Sequence, residues 1–353
     1  MTLTEMSYYS RKLLPFGIIV FLMLLIFYYA IQVFFLYLSS NTPKNVYINP
    51  VFGQIKKPEI KTASTSAKLQ FTLDTVEGEP VTATGSAKIF LLPSSTTRFG
   101  FREKIYVMAK NLGFNTDITK HKLMNTEAVF TEDNQKLSID ITNFNFTYEY
   151  DVKNNSSLFQ NISLPTREAV EQKATDFLRA VGRYPEELTK AKPDIKYYVY
   201  NPTSNRLMPA SRPQEANVVE VNFYRPDIEA SPQSYPVATP KYFSSQNYVI
   251  MVFNEAGFKV IKAQVRFFEK SETVEGVYPL KTGAEAFKEL QEGKGMVVSL
   301  PQDATNISIN KMFLGYADPE TQQNYLEPVY VFINEKNNFA AYVPAVRNEY
   351  LLE

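Results

Sequence analysis

Few side chains in this sequence have the chemistry that catalysis requires. The single histidine, His121, lies between two lysines in a Thr-Lys-His-Lys stretch. A general base needs an orienting partner and a site from which water is excluded. We therefore expect His121 to be a solvated residue on an exposed loop. A Ser-His-Asp triad would have to use this one histidine, so that class of site is disfavoured.

Pairs of carboxylates are the next candidates for catalytic groups. Glu186 and Glu187 are adjacent, and Asp227 and Glu229 lie in a proline-rich stretch. Both pairs fit exposed turns. A glycosidase holds two carboxylates across a cleft, which a sequence does not reveal. An envelope enzyme, such as a carboxylate-dependent cell-wall hydrolase, therefore stays open as an alternative function.

The stretch Gly293-Lys294-Gly295 superficially suggests a phosphate-binding loop. It follows a predicted helix, however, whereas an anion binds where a helix begins. A turn that ends the helix is the better interpretation. Neither the G-x-x-x-x-G-K-[ST] motif nor the G-x-G-x-x-G motif occurs among the 13 glycines.

Composition narrows the function classes further. The 353 residues include 37 Lys+Arg, 37 Asp+Glu, one His and no Cys. A neutral chain lacks the basic surface of a nucleic-acid binder, and zinc sites that need Cys or several His are excluded. We predict no catalytic residue, cofactor, metal or small-molecule ligand, and we expect a protein that is not an enzyme.

A membrane helix is the clearest feature of the sequence. Residues 13–38 (LLPFGIIVFLMLLIFYYAIQVFFLYL) form a 26-residue stretch without charge. About 20 apolar residues suffice to cross a bilayer, and a cleavable signal peptide has a shorter apolar region. Arg11 and Lys12 precede the stretch and only Lys44 follows closely. The positive-inside rule then predicts a cytoplasmic tail at 1–12 and an extracytoplasmic C-terminal part.

The rest of the chain divides into predicted segments. Residues 39–66 lack a sustained periodicity and are expected to form a stalk, with its end docked on the domain. Residues 67–92 alternate in polarity around a Glu-Gly-Glu-Pro stretch, which predicts a β-hairpin. The Asn- and Ser-rich segment 154–163 is the best boundary between two extracytoplasmic domains, 67–153 and 164–353. Residues 225–243 carry four prolines and form a long loop or a crossover.

Three segments predict short amphipathic helices, at 102–114, 165–182 and 282–293. Gly113 and Gly182 stand where a left-handed C-terminal cap is expected. Thr282 and Glu285 have the spacing of a capping box. Each helix is followed by several strand-like runs, which favours an α+β fold of antiparallel sheets with short helices packed on one face.

A partner-binding edge is predicted near the C-terminus. The extended segment Asn324–Phe332 contains Tyr325, Pro328 and Tyr330. Proline cannot donate to a β-ladder and therefore favours an edge strand or a bulge. An accessible edge would recruit a partner strand by β-augmentation, and an edge covered by the chain itself is the alternative.

Two regions of the sequence resemble a known family. Residues 278–295 (YPLKTGAEAFKELQEGKG), followed by 314–316 (LGY) and 325–332 (YLEPVYVF), resemble a recurring unit in membrane-anchored regulators of the YycH/YycI type. Residues 109–114 (AKNLGF) resemble the same kind of short helix. The resemblance implies PepSY-like α+β modules outside the membrane. It also implies regulation of a membrane sensor kinase through protein contacts.

These features together predict a single-pass protein of the bacterial cell membrane. Its partners would be the lipid bilayer and a membrane or envelope protein, and it would act as a regulator or adaptor. A structural subunit of a surface or secretion assembly is a further alternative.

Overall fold

A computed structural model describes most of the chain. The described residues are 3–41, 47–63, 69–76, 78–81, 84–94, 96–97, 99–153, 155–230, 233–255, 257–301 and 304–352. The chain divides into two compact units, Met1–Tyr47 and Ile48–Glu353.

The first unit contains one long helix, α1 (Leu3–Asn41). Its stretch Leu13–Phe35 is long and apolar enough to cross a membrane, and no residue of that stretch is buried. This agrees with the predicted membrane span at 13–38. The helix is therefore compatible with a transmembrane anchor.

The second unit contains three α-helices and 23 strands among its described residues. The helices are α2 (Phe101–Asn111), α3 (Arg167–Val181) and α4 (Gly283–Gln291). The strands are β1 (Ile55–Lys56), β2 (Gln70–Leu73), β3 (Ser86–Leu91), β4 (Lys122–Met124), β5 (Glu127–Glu132), β6 (Gln135–Asp140), β7 (Phe146–Tyr150), β8 (Asp194–Asn201), β9 (Arg206–Pro209), β10 (Val218–Phe223), β11 (Ile228–Ala230), β12 (Gln233–Tyr235), β13 (Val237–Ala238), β14 (Asn247–Asn254), β15 (Gly257–Val265), β16 (Glu275–Pro279), β17 (Met296–Ser299), β18 (Asn306–Ile309), β19 (Lys311–Ala317), β20 (Tyr325–Leu326), β21 (Pro328–Asn334), β22 (Phe339–Pro344) and β23 (Leu351–Leu352).

All three helices that were predicted after the apolar segment are present. Two of them begin at the capping residues that were predicted. The Thr166 hydroxyl accepts a hydrogen bond from the Ala169 N–H at the start of α3, and Gly182 ends the helix with φ +84°. The capping box of α4 is formed, because Thr282 and Glu285 bond each other's backbone N–H. Helices α3 and α4 thereby satisfy N–H groups that have no partner within the helix.

The largest sheet has nine strands in the order β4-β5-β6-β7-β15-β14-β10-β8-β9, and every pairing in it is antiparallel. Helices α2 and α3 lie on one face of this sheet. Ile105, Met108, Val170 and Leu178 bury their side chains there in a core shared with the strands. We call the opposite face of the nine-stranded sheet the open face. The predicted α+β class with helices on one face of an antiparallel sheet is confirmed for this part.

A second large sheet has five strands in the order β13-β19-β21-β22-β17. Helix α4 packs against it through Ala286 and Leu290, in a core that also takes in the three-stranded sheet β16-β3-β20. Strand β13 pairs in parallel with β19. The five-stranded sheet is therefore mixed, which departs from the purely antiparallel sheets that were predicted.

The hairpin predicted for residues 67–92 is wrong. Strand β2 pairs in parallel with β18, Phe71 lying opposite Ile307. Strand β3 lies between β16 and β20. The predicted apolar face of the first strand is correct, since Phe71 is buried, but its partner lies far away in the sequence. Alternating polarity indicates which face of a strand is buried, but it does not indicate which strand pairs with it.

Within the stalk predicted for residues 39–66, residues 39–41 belong to α1 and residues 48–63 are docked on the second unit. Strand β1 pairs in parallel with β23, near the C-terminus. Ile55 is buried at 1% exposure, and Phe52 packs against Tyr325 with ring centroids 4.8 Å apart. These apolar side chains attach the segment to the core of the second unit.

The domain boundary predicted at 154–163 is also wrong. Strand β7, before it, pairs with β15, after it, within one continuous sheet. Residues 155–162, which we call the strap, cross the open face. Phe159 of the strap stacks on Tyr200 with ring centroids 4.2 Å apart. Phe159 and Ile162 pack against a buried apolar cluster of the sheet, and Ile162 forms a β-bridge with Asn254. These contacts hold a segment whose polar composition had suggested a linker.

The proline-rich segment 225–243 is a crossover, one of the two structures predicted for it. It contains the hairpin β11-β12 and then β13, which joins the five-stranded sheet. The chain thus leaves the nine-stranded sheet after β10 and returns to it at β14.

Candidate functional site

His121 lies in a loop, as its basic neighbours suggested, but it is only partly exposed. Its Nδ1 lies 3.2 Å from the Tyr106 hydroxyl, and its ring packs against Tyr106 and Phe130. Burial, followed by the charge of Arg102, lowers the pKa of His121. Its aromatic neighbours belong to α2 and β5, so this histidine has a packing role.

The sheet order contradicts the predicted partner-binding edge for Pro328 and Tyr330, whereas Tyr325 lies in β20, at one end of the three-stranded sheet. Strand β21, which carries Pro328 and Tyr330, lies between β19 and β22 and is buried along its whole length. The Tyr330 hydroxyl donates to the Lys281 carbonyl at 2.7 Å. Tyr325 packs on Phe52. Apolar side chains on both faces of β21 make it a central strand, despite its proline.

The Gly293-Lys294-Gly295 stretch ends α4, as predicted. Gly293 has φ +77°, and its N–H donates to the Leu290 carbonyl. Lys294 pairs with Glu292 at 2.7 Å. This turn has the geometry of a helix C-terminus, which repels rather than attracts an anion.

The open face carries two adjacent rows of mostly polar side chains, which follow from the strand register. The first row crosses seven strands, from β8 to β5, about 29 Å at the usual spacing. Its members are Lys196, Glu220, Ile250, Lys262, Glu149, Lys136 and Thr131. Positive and negative side chains alternate along most of this row.

The second row is polar along most of its length. Its members are Asp194, Asn222, Tyr248, Gln264, Thr147, Ser138, Val129 and Lys122. Directly paired residues point to the same side of a sheet, so both rows face away from α2 and α3. Together they offer a broad surface of hydrogen-bond donors and acceptors.

A salt bridge connects two neighbouring side chains of the first row. The Lys262 Nζ lies 2.8 Å from Glu149 Oε1 across β15 and β7. Hydrogen bonds and charge from Glu149 and Tyr248 raise the pKa of Lys262 against the opposing effect of its burial, which is the largest single influence. The lysine therefore stays charged, and the pair presents a fixed dipole at the centre of the open face.

Tyrosine hydroxyls gather where β8 and β10 meet on the open face. Burial, followed by the nearby carboxylates Glu220 and Asp194, raises the pKa of Tyr198 and of Tyr224 to about 12. Both hydroxyls therefore remain protonated at neutral pH, and Tyr198 hydrogen-bonds to Glu220. The Asn222 amide also donates to Glu220, at 2.8 Å. This end of the face combines donors with acceptors.

Two depressions flank the rows. The larger, of about 510 Å³, lies beside the strap and has Ile250, Ile261 and Leu207 among its apolar lining and Lys262 and Glu149 among its polar lining. The smaller, of about 310 Å³, borders the second row at Ser138 and Thr147. In the smaller depression, Glu320 accepts from both Lys61 and Arg266, at 3.2 and 3.3 Å.

No metal-binding arrangement occurs among the residues that the structure describes: no three His, Cys, Asp or Glu side chains cluster closely enough to hold an ion. The chemistry of the open face is thus that of salt bridges, hydrogen bonds and small apolar hollows.

The sequence does not identify the open face in advance. Alternation in β7 indicates which of its side chains leave the core, for example Thr147 and Glu149. The two rows arise only when strands that are distant in sequence come into register. Glu149 and Lys262 lie on opposite sides of the strap in the sequence, and the pairing of β7 with β15 brings them together.

Comparison with known proteins identifies no family. No family model matches the chain, and no curated protein matches it. Among solved structures, one similar chain is an uncharacterized protein from Eubacterium rectale ATCC 33656, with 12% sequence identity. The match covers 82% of this chain and 92% of that chain, with a TM-score of 0.33, a likeness too low to support an argument about function.

Proposed function

We propose that this protein is a single-pass, membrane-anchored regulator or adaptor of the bacterial envelope that acts through protein contacts rather than catalysis. Helix α1 would be the anchor, with the N-terminus in the cytoplasm and residues 48–353 outside. The sequence resemblance to YycH/YycI-type regulators motivates two further parts of the proposal, PepSY-like modules and a membrane sensor kinase as the partner.

The observation that carries the proposal is the open face. A sheet face that serves only to close a core is apolar and covered. On this face Glu149, Lys136 and Thr131 are exposed, and the other charged members of the first row are partly exposed. Ile250 and Asn222 of the two rows are buried. A stable protein interface takes about 800 Å² from each partner, and a face about 29 Å across has room for it.

The charge pattern of the first row gives the surface a means of selecting its partner. Lys196, Glu220, Lys262, Glu149 and Lys136 alternate in sign with one apolar interruption. Complementary charges fix register and suppress wrong partners, while adjacent apolar hollows supply the anchoring contacts. A partner would therefore present charges of the opposite order and an apolar side chain for the larger depression.

Site-specific crosslinking in living cells tests this proposal. A photoreactive residue at Lys136, on the open face, is compared with one at Lys110, on the exposed side of α2. We expect the Lys136 position to crosslink one membrane or envelope protein, and the Lys110 position to give none of that adduct. The adduct should disappear when Lys262→Glu is added, because the first row then loses its central cation.

Two outcomes would contradict the proposal. Equal adducts at both positions would indicate collisions without a defined surface. An adduct at Lys136 that persists in both single variants, Lys262→Glu and Glu149→Lys, would show that the open face does not bind the partner.

The proposed orientation has its own test, because the natural chain contains no cysteine. Single variants Ser7→Cys and Ser204→Cys are treated in intact cells with a thiol reagent that does not cross membranes. We expect labelling at residue 204 and none at residue 7 until the cells are opened. The reverse pattern would place the second unit in the cytoplasm.

A further inference from the structure

An apolar cluster interrupts the polar rows of the open face. Its buried members are Tyr200, Val218, Ile250, Val252 and Ile261. Val218 alternates with Glu220 along β10, and Ile250 belongs to the first row. Alternate residues of a strand share a face, so the cluster lies on the side of the sheet away from α2 and α3.

The strap occupies one part of this cluster. Phe159 and Ile162 pack against it, and Phe159 stacks on Tyr200 with ring centroids 4.2 Å apart. The backbone is fixed there as well, since Ile162 forms a β-bridge with Asn254. The strap has the sequence NSSLFQNI. The chain itself thus shows one kind of occupant that fits this surface, a linear and largely polar segment that makes its apolar contact through a few side chains.

The same cluster continues beside the strap into the depression of about 510 Å³. Ile250 and Ile261 line this depression, and so does Leu207, which packs against the cluster from β9. Tyr200 belongs to both places, because it lies against Phe159 and also lines the depression. The strap and the depression are therefore two parts of one continuous apolar surface.

The depression crosses the strands. Asp133 and Asn134 line it at the hairpin β5-β6, and Asn205 lines it at the hairpin β8-β9. Strands β7, β15, β14 and β10 lie between these hairpins in the sheet. Five strand spacings amount to about 24 Å along the sheet. A linear chain matches a depression of this form, whereas a compact ligand would fill only part of it.

The rim of the depression is balanced in charge. Its lysines are Lys136, Lys153 and Lys262, and its carboxylates are Asp133, Glu149 and Asp151. The side-chain amides of Asn134 and Asn205 add both donors and acceptors. A peptide backbone carries N–H and C=O groups that pair with such a rim. A polyanion or an anionic lipid requires an excess of cations instead. The rim thus favours a peptide.

We infer that the depression binds a linear peptide segment of the partner protein. The segment lies beside the strap, and one of its apolar side chains rests on Ile250, Ile261 and Leu207. Polar residues on both sides of that side chain pair with the rim. This inference rests on the proposed function and adds to it the part of the partner that the open face binds.

Peptide selection on the purified protein tests the inference. The full chain is reconstituted in nanodiscs, and random linear peptides displayed on phage are selected on it, with empty nanodiscs for counter-selection. The selected peptides are synthesised with a fluorophore, and their Kd values are measured by anisotropy for the natural chain and for variants. Leu207→Asp and the milder Leu207→Ala change the depression. Met208→Asp and Met208→Ala are the matched controls, since Met208 is the next residue of β9, is 53% exposed and points to the opposite face.

We expect the selected peptides to share an apolar residue between polar ones. Leu207→Asp should raise their Kd at least about tenfold, because it places a charge against that apolar residue. Leu207→Ala should raise it about fivefold and decides the test if the aspartate variant does not fold. Both Met208 variants should leave the Kd within about twofold of the natural value.

Three outcomes separate this inference from the proposed function. If no peptide is selected, or if the Leu207 and Met208 variants have equal Kd values, the inference is wrong. An adduct at Lys136 in cells would then still support the proposed function, with a folded surface of the partner as the contact. Peptide binding that depends on Leu207, without any adduct at Lys136 in cells, would instead contradict the proposed function.

A second copy of the chain is the competing occupant. A photoreactive residue at Leu207 is therefore activated in a mixture of two differently tagged full chains in detergent. We expect no adduct between the two tags. An adduct between them would assign the depression to self-association and overturn the inference.

Discussion

The guanidinium of Arg225 and the carboxylate of Asp318 form a buried ion pair, with Nε and Oδ1 3.0 Å apart. Arg225 follows β10 of the nine-stranded sheet, and Asp318 follows β19 of the five-stranded sheet. The same guanidinium donates to Glu187 at 2.8 Å and to the Phe268 carbonyl at 2.7 Å. One side chain thereby joins three separate segments where the two sheets meet.

Replacing Arg225 should therefore destabilise the second unit strongly. In Arg225→Met, Asp318 keeps its buried charge but loses its guanidinium partner, which costs about 3–5 kcal/mol of unfolding free energy. Urea unfolding of the full chain in detergent measures this loss. Arg212→Met is the matched control, since Arg212 pairs with Glu215 in solvent and should cost at most about 1 kcal/mol. Similar losses for both variants would contradict a structural role for the buried pair.

The carboxyl group of Glu327 should make stability depend on pH. Burial raises the pKa of Glu327 well above its ordinary value, and its Oε2 has no hydrogen-bond partner among the described residues. A carboxyl group whose pKa is higher in the folded state stabilises the fold below its unfolded pKa. That contribution disappears as the pH rises through the folded pKa. We expect the free energy of unfolding to fall as the pH rises above about 4.5, the ordinary pKa of a glutamate, and Glu327→Gln to abolish this part of the fall.

Glu285 supplies a control of opposite sign. Its carboxylate accepts from the Thr282 backbone N–H, which lowers the pKa of Glu285. The stability it contributes is present above its unfolded pKa and is lost as the pH falls. Glu285→Gln should therefore change the acid side of the profile and leave the alkaline side alone. An unchanged slope in Glu327→Gln above about pH 5 would refute the prediction for Glu327.

Gly283 should resist replacement by alanine, although it lies in the first turn of α4. A Cβ built at Gly283 would lie 2.1 Å from the Val81 carbonyl oxygen, closer than any real contact. Helix propensity alone predicts that Gly283→Ala stabilises by about 0.4–1 kcal/mol. We expect the opposite, a loss of about 1–3 kcal/mol, because the backbone must shift. The sign of the change in thermal unfolding decides between these two effects.

Removal of the Tyr278 hydroxyl should loosen the start of the second unit. Tyr278→Phe leaves the Phe52 N–H and the Gly53 carbonyl without this partner, at a cost of about 1–3 kcal/mol. Hydrogen exchange should rise for residues 48–56 and stay constant in α3. The comparison variant Tyr235→Phe removes a hydroxyl near Thr84 and should leave residues 48–56 unchanged. Faster exchange throughout the unit would indicate general destabilisation instead.

Local structure could be predicted from the sequence because its causes are local. The N-cap at Thr166, the capping box at Thr282 and the left-handed glycine at 182 each act within one helical turn. The apolar spacing of α2, α3 and α4 likewise predicts the buried faces. These elements, and the predicted strands around them, are present in the structure.

The arrangement of the sheets could not be predicted, because it depends on partners that are distant in the sequence. Phe71 pairs with Ile307, and the strap lies on the open face through Phe159 and Tyr200. Prolines and polar residues were misleading signals in two places. Pro328 suggested an edge where the strand is central, and the Asn- and Ser-rich strap suggested a linker. The candidate site could not be predicted for the same reason, because its two rows exist only once distant strands have paired in register.

The pairing of β1 with β23 has a consequence for biosynthesis. Ile55 finds its partner only at Leu351, 296 residues later in the sequence. Strand β2 similarly pairs only with β18. Until the ribosome has added β18 and β23, strands β1 and β2 have no partner strand. We therefore expect the second unit to complete its fold only after β23 has been synthesised, so that the nascent protein depends on protection from aggregation during that interval.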